Sequence, residues 1–520
     1  MQGQQSEGYY TTLSHCWGDP KKVFRLTSEN HKRLTYDGFS FAELPKTFRD
    51  AVRLSRFLGV GYIWIDSLCI IQDDEEDWLK ESKVMADVYR HSKCNIAATA
   101  SQAPTEGCFY DRDPELVSPL ETILCPQETE DDSSTERYLF LDPRSWNDSV
   151  ETAPLNKRAW VVQERTLAPR QIHCGETQLL WECHETVASE TFPFMLNKSG
   201  YEFETFRTKK PPSVTPVLLD MSRLLSSDLA DDKFPSDISY DSLLHRYDRG
   251  GRYVSEIKDA PAGTKGTTWD KSVSLLRHSI YENWANIVNQ YSGCKSTKRT
   301  DKLIAVHGIV SQIQDVLKGR DHYVAGLWQS QLPWQLLWIA NQKGLDASPD
   351  RTPAYDIAPS WSWACLNIEV YSHTPIINWQ SEFPVLIDIN EVRKPHTIDR
   401  AKDCSLKLRC HLYQIHASQG ERAEASIQLG HGKFTFEFDP GLILMDNLGT
   451  IDLREKAYLM PVMKMFHLEG LVVRPCGERP GHYRRIGKWD EFETDFFERA
   501  RVRATMLSAQ EESKVTITLI

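Results

Sequence analysis

Residues 61–100 read GYIWIDSLCIIQDDEEDWLKESKVMADVYRHSKCNIAATA, and the order of chemistry in them decides the fold of the first part of the chain. GYIWID, over 61–66, is a short β-branched and aromatic run that predicts a strand. The acidic loop Asp73-Asp74-Glu75-Glu76-Asp77 follows, with charges that suit a helix N-terminus. From about Trp78 to Arg90 apolar residues recur at helical spacing, and NIAATA over 95–100 is strand-like again. Before this stretch, YYTTLS over 9–14 reads as an earlier strand. Leu44-Pro45-Lys46-Thr47 announces a helix on which Phe48, Ala51, Val52, Leu54, Ser55 and Leu58 recur until Gly59 ends it. Strands alternating with helices are βαβ grammar, so residues 1–190 are expected to form an α/β module with a mostly parallel sheet. Residues 153–185, with Trp160, Val161, Val162, Ile172, Leu179, Leu180 and Trp181, complete it.

Beyond the module the pattern changes. The stretch 191–270 is expected to be a linker or insertion, because 207–268 is polar and rich in Gly and Pro. Apolar residues at three- and four-residue intervals over 271–292 and 300–318 predict a helical region spanning 271–345, which ends in a Trp-rich segment from Gly326 to Trp338. A β-rich region is expected over 346–520, with alternation in 404–416 and 425–438 and further strands near 441 and 470. The middle and C-terminal regions are expected to pack on the module and restrain it, with 207–268 as the hinge.

At 520 residues the chain is long enough for two or three domains. Its formal charge of -12 argues against a phosphate-backbone binder, so no nucleic-acid partner is expected. The 12 cysteines are scattered without framework or metal-ligand spacing, which reads as reduced thiols and no metal. The N-terminal residues lack the basic and apolar regions of a leader, and no apolar run approaches the ~18 residues of a membrane span. A cytoplasmic protein without a membrane span is expected.

Five stretches in order carry a family resemblance. They are Leu13-Ser14-His15-Cys16-Trp17-Gly18; Leu44 to Ala51 (LPKTFRDA); Tyr62 to Gln72 (YIWIDSLCIIQ); Asp77-Trp78-Leu79-Lys80-Glu81 with Met85 and Tyr89; and Arg158 to Arg165 (RAWVVQER) followed by Pro169-Arg170. Together they resemble the fungal heterokaryon-incompatibility (HET) family. Tyr323 to Trp328, Ala358 to Trp363 and Tyr483 to Gly487 resemble the extended regions that accompany that module. The resemblance implies nonself recognition and regulated cell death, with self-association and an unidentified protein partner. The first motif begins at Leu13, nearer the first residue than is usual in the family, which leaves a short variant or an incomplete gene model as readings.

The order of strand, loop, Asp-Trp-x-x-Glu at a helix start and a further strand is also similar to Toll/interleukin-receptor (TIR) domains, which implies a TIR- or flavodoxin-like sheet. In the NAD-cleaving members the matching helix bears the catalytic glutamate, which by motif is Glu81. On a helical wheel Trp78, Val84, Met85, Val88 and Tyr89 share one arc, and Glu81 falls inside it, where a carboxylate is costly to desolvate. Two readings stay open: a structural ion pair to Arg158, Arg165 or Arg170, or a catalytic carboxylate that stabilises a ribosyl cation. NAD is then a substrate, and no cofactor is expected.

Ligands of open α/β sheets sit at the carboxyl ends of the strands. This places Ser14, His15, Cys16 and Trp17, with Asp66 and Ser67, as candidate substrate contacts, joined by Trp160 and Arg165. For Asp66 the plain alternative is a turn acceptor, and for Trp17 and Trp160 it is core packing. The Gln163-Glu164-Arg165 triplet suits a rim or a domain contact. Cys16 beside His15, and Cys183 beside His184, invite a thiol nucleophile, yet neighbours in a strand face opposite ways, so packing thiols are the competing reading. No glycine-rich phosphate loop is present.

Overall fold

The computed structural model describes residues 8–19, 23–124, 136–140, 142, 144–184, 186–193, 218, 221, 268–296, 298–341, 352–372, 385–395, 398–417, 423–429, 432–438, 443–446, 452, 454–464, 468–477, 479–490 and 513–520. The chain divides into two compact units, Met1–Pro216 and Val217–Ile520. Most of the expected linker and hinge lies outside the described residues.

In the first unit, β1 (Tyr10–Ser14) leads through α1 (Lys46–Phe57) to β2 (Tyr62–Ile65), the single turn α2 (Asp66–Cys69) and α3 (Glu75–Arg90), and then to β3 (Cys94–Ala97). The hairpin of β4 (Leu120–Leu124) and β5 (Glu136–Phe140) stands apart from the main sheet. α4 (Ala159–Leu167) precedes β6 (Arg170–Cys174), β7 (Leu179–Cys183) and β8 (Val187–Ser189). The sheet order is β2-β1-β3-β6-β7-β8. The first four strands run parallel, whereas β7 and β8 are antiparallel additions, so the sheet is mixed rather than mostly parallel. The cause is visible in the chain: only Gly175 to Gln178 separate β6 from β7. A parallel return needs a crossover of a dozen residues or more, so four residues permit only a hairpin.

Alternation along the strands separates the two faces. Leu13, Ile65 and Ile96 bury against Phe48, Ala51 and Leu54 of α1. Thr12, Ser14, Asn95 and Trp64 face the other way, where Trp64 meets Tyr89 of α3 edge to face at 5.7 Å. α1 and α3 therefore cover opposite faces, as right-handed crossovers in the order β2-β1-β3 require. α3 is well capped: Asp74 accepts from the Glu76 and Asp77 amides, and its first turn carries Glu75, Glu76 and Asp77.

The second unit begins with α5 (Thr268–Ser292), whose Leu276, Ile280, Trp284, Ile287 and Tyr291 are buried at helical spacing. α6 (His307–Leu317) follows, then the short pairs β9 (Tyr323–Val324) with β10 (Leu327–Trp328), and β11 (Ile339–Ala340) with β12 (Val370–Tyr371); the single turn α7 (Leu332–Gln335) lies between β10 and β11. Among the described residues the β-rich part is one ten-stranded sheet. Its strands are β13 (Asp388–Arg393), β14 (Ser405–Cys410), β15 (Tyr413–Ala417), β16 (Ala423–Leu429), β17 (Gly432–Phe438), β18 (Leu444–Met445), β19 (Tyr458–Lys464), β20 (Leu468–Pro475), β21 (His482–Asp490) and β22 (Val515–Leu519). Helices followed by β structure thus appear in the expected order. Among the described residues no helix is long and apolar enough to cross a membrane.

The three stretches of the second unit that carry the resemblance meet in space. The tight turn between β9 and β10 places Ala325 and Gly326 at positive φ, 47° and 97°. A Cβ on Gly326 would stand 2.7 Å from Trp363 Nε1, which donates to the Gly326 carbonyl at 2.9 Å, so only glycine fits. Ser362 donates to the Ala325 carbonyl beside it. Arg485 of β21, 1% exposed, lies over the Trp338 ring at 3.3 Å and forms a two-point ion pair with Asp446, both bonds 3.0 Å. Its remaining donors reach the Leu336 and Trp338 carbonyls.

Candidate functional site

At the carboxyl ends of β1 and β2 the chain gathers five of the candidate residues. Asp66 is the hub: one oxygen accepts from Trp17 Nε1 at 3.0 Å, and the other accepts from the Ser67 amide at 2.7 Å and stands 3.6 Å from His15 Nδ1. His15, on the α1 side, packs edge-on against Phe48 with ring centres 4.8 Å apart. Burial pushes its imidazole down to about 4, with Asp66 opposing the change and Arg158 reinforcing it, so the ring is neutral at pH 7. Among the described residues neither His15 ring nitrogen nor the Ser67 hydroxyl has a hydrogen-bond partner, although all are buried. Cys16 is adjacent but unsuited to attack, since burial raises its thiol despite Arg158, the reverse of thiolate activation.

On the other face of the same strands lies a second, fully buried polar group. Ser14 donates to Glu164 at 2.5 Å and accepts from Asn95 at 3.0 Å, with the Tyr89 hydroxyl beside them, donating to the Leu13 carbonyl at 3.5 Å. Asn95 also takes the Thr12 hydroxyl at 2.9 Å and donates to Gln171 at 2.6 Å. Gln171 leads to His173 at 3.1 Å, and His173 to Glu182 at 3.0 Å. Arg165 closes the chain: Nε donates to Glu182 at 2.8 Å and both terminal nitrogens donate to Glu151 at 2.9 Å. Its guanidinium is 3% exposed and fully engaged by protein carboxylates, which sets it apart from the hub around Asp66. The Gln163-Glu164-Arg165 triplet, expected at a rim or a domain contact, is buried throughout.

Glu164, read from the sequence as part of a rim or domain-contact triplet, is instead a buried member of this network. Its signal was its spacing, three residues after buried Val161 and three before buried Leu167. Its hydrogen bonds come from hydroxyls rather than a cation, because Arg158 donates to the His15 carbonyl instead. Burial lifts its carboxyl from the usual 4.5 to about 7, Arg158 opposes this, Asp66 adds to it, and the Ser14 and Tyr89 bonds offset part. An acid whose folded-state value is raised holds its proton more tightly when folded, so stability is full below about pH 4.5 and is lost as pH rises to about 7. Glu164→Gln is expected to remove this slope. Denaturant unfolding between pH 4.5 and 7.5 should show the wild type losing on the order of 3 kcal/mol that the variant keeps; parallel pH profiles would refute the assignment.

Glu81 stands in the second turn of α3, half-buried, with its Oε1 3.4 Å from Lys80 Nζ. None of the arginines expected as its partner fills that role: Arg158 and Arg165 are committed as described, and Arg170 lies on β6. The apolar arc of α3 is narrower than the wheel suggested, for Met85 and Tyr89 are buried but Val84 is 42% exposed. Trp78, one turn before Glu81, meets Trp160 of α4 edge to face at 6.2 Å, so the aromatic pair joins the two helices beside the carboxylate. The Cys69 thiol, although part of the residue stays at the surface, is pushed up to about 11 by desolvation and then by both Asp66 and Glu81. Asp66, the first residue of α2, and Glu81 on α3 both add to that rise. Among the described residues no group of three or more His, Cys, Asp or Glu side chains is placed to hold a metal ion.

Residues 10–164, which run from β1 into α4 and include every group of the hub together with Glu81 and Glu164, match the family model described as Heterokaryon incompatibility protein (HET). No curated protein and no solved structure matches the chain. With the first four motifs and the fifth as far as Glu164 inside the match, the first unit of this protein carries a heterokaryon-incompatibility (HET) domain, which points to a function related to heterokaryon incompatibility and cell death.

Proposed function

We propose that the HET domain signals by cleaving NAD at the bond between nicotinamide and ribose, with Glu81 as the catalytic carboxylate. The observation that supports this reading is the place of Glu81, half-buried on α3 and one turn from the Trp78–Trp160 pair, with Asp66 at the carboxyl end of β2. In the reaction the C1′–N bond breaks, its electron pair stays on the nicotinamide nitrogen, and the ribosyl carbon becomes positive. Glu81 stabilises that charge, and water adds to C1′ and releases a proton to solvent. Trp78 and Trp160 supply an aromatic wall for a planar ring, and Trp17 holds Asp66 in place. Arg165 and Ser14 support the strands from within rather than touch substrate. Purified full-length protein is expected to release nicotinamide from NAD, followed by chromatography, and Glu81→Ala to lower the rate on the order of a hundredfold with folding intact. Equal turnover in the variant sinks the reading.

One observation favours a second reading, a non-catalytic self-associating adaptor. Glu81 already has a cation, Lys80, within 3.4 Å. If that pair is structural, a folded Glu81→Gln protein still kills cells and still binds its partner.

A further inference from the structure

Exposed groups of opposite charge stand on the two helices that cover opposite faces of the first sheet. On one, α1 turns Arg53, Arg56 and Phe57 outward, and Phe57 is 85% exposed. Both guanidinium groups lie over the exposed Phe41 ring, 5.8 and 5.9 Å from its centre. Arg53 pairs with Asp50 at 3.2 Å, whereas Arg56 meets no carboxylate among the described residues. On the opposite face the acidic run opens α3. Asp73 is held by the Ser28 amide, Asp74 by the helix cap and Asp77 by the Ile71 amide. Glu75 and Glu76 remain exposed, with no ion-pair partner among the described residues.

We propose that the Phe41, Arg53, Arg56 and Phe57 patch is a docking surface for a second copy of this chain, which offers it the Glu75 and Glu76 end of α3. Arginine beside exposed aromatic rings is the composition of interface hot spots, and the acidic end is its charge complement. α1 and α3 cover opposite faces, so the patches cannot meet within one copy. The contact is therefore head to tail, and it adds subunits in a row or ring rather than closing a symmetric pair.

The test is sedimentation velocity of the full chain over a concentration series in low and high salt. Mass should grow with concentration and fall with salt, because the charges are exposed and screened. Arg53→Glu with Arg56→Glu, and separately Glu75→Lys with Glu76→Lys, should each weaken association roughly tenfold or more. Mixing the two variants should restore it, since each then meets its complement. Phe57→Ala, which leaves every charge in place, should weaken it as well. A single-chain mass throughout, or an association that neither reversal nor mixing changes, overturns the proposal. The readout is mass, so it stands or falls independently of NAD turnover.

Discussion

Arg485→Ala is expected to cost the second unit about 3–5 kcal/mol, the range found when one partner of a buried ion pair is removed and the other stays. Asp446 would be that stranded partner: it is 4% exposed, and burial already raises its carboxyl against the pull of Arg485. The arginine also covers the Trp338 ring and satisfies two carbonyls of the Leu336 to Trp338 segment, so three different contacts go with it. Ser360, which accepts from the Arg485 backbone amide at 2.9 Å and donates to the Ile520 carbonyl, is a tie that alanine keeps. Arg485→Lys keeps the charge but cannot reproduce the planar two-point bond, and should fall between. Denaturant unfolding followed by tryptophan emission reads the loss, and a midpoint within error of wild type would refute it.

The second large effect is expected in the first unit. Arg165→Leu leaves Glu151 and Glu182, both at most 10% exposed in their side chains, without their cation, and should destabilise by about 3–5 kcal/mol at pH 7. The penalty should shrink in acid, where the stranded carboxyls take up protons, and that pH dependence separates lost charge compensation from lost packing. Replacing Glu151 and Glu182 by glutamine in the same variant should recover much of the loss at neutral pH. A penalty that is the same at pH 4 and pH 7 would count against this account.

The first three parallel strands and the two long helices between them were legible because each carries its own signal: β-branched runs, the acidic cap of α3, and the apolar spacing of α1. Asp66 and Trp17 were legible as strand-end residues. Their bond was not, because it joins loops 49 residues apart. Arg165 shows the limit most clearly. A charged residue after an apolar run looks like a surface residue unless its partners are known, and those partners sit on β7 and on the segment before α4. Val84 misled for a related reason. A wheel shows which residues share an arc but not how far the neighbouring helix extends over it. The hairpin after β6 could have been read from its four-residue connection, and the even rhythm of the earlier crossovers obscured it.

The polar chain from Ser14 to Arg165 bears on where this unit can be cut. The family match ends at Glu164, yet β6 lies beyond it and supplies both the hydrogen-bonding edge of β3 and the Gln171 that takes the Asn95 amide. A polypeptide ending at the match would expose β3 as a raw edge and leave Asn95, at 0% exposure, one bond short. It would also drop Arg165 while keeping Glu151. The span that defines the family and the span that folds are therefore different lengths of chain, and the second reaches at least through β7, whose Glu182 anchors the far end of the network.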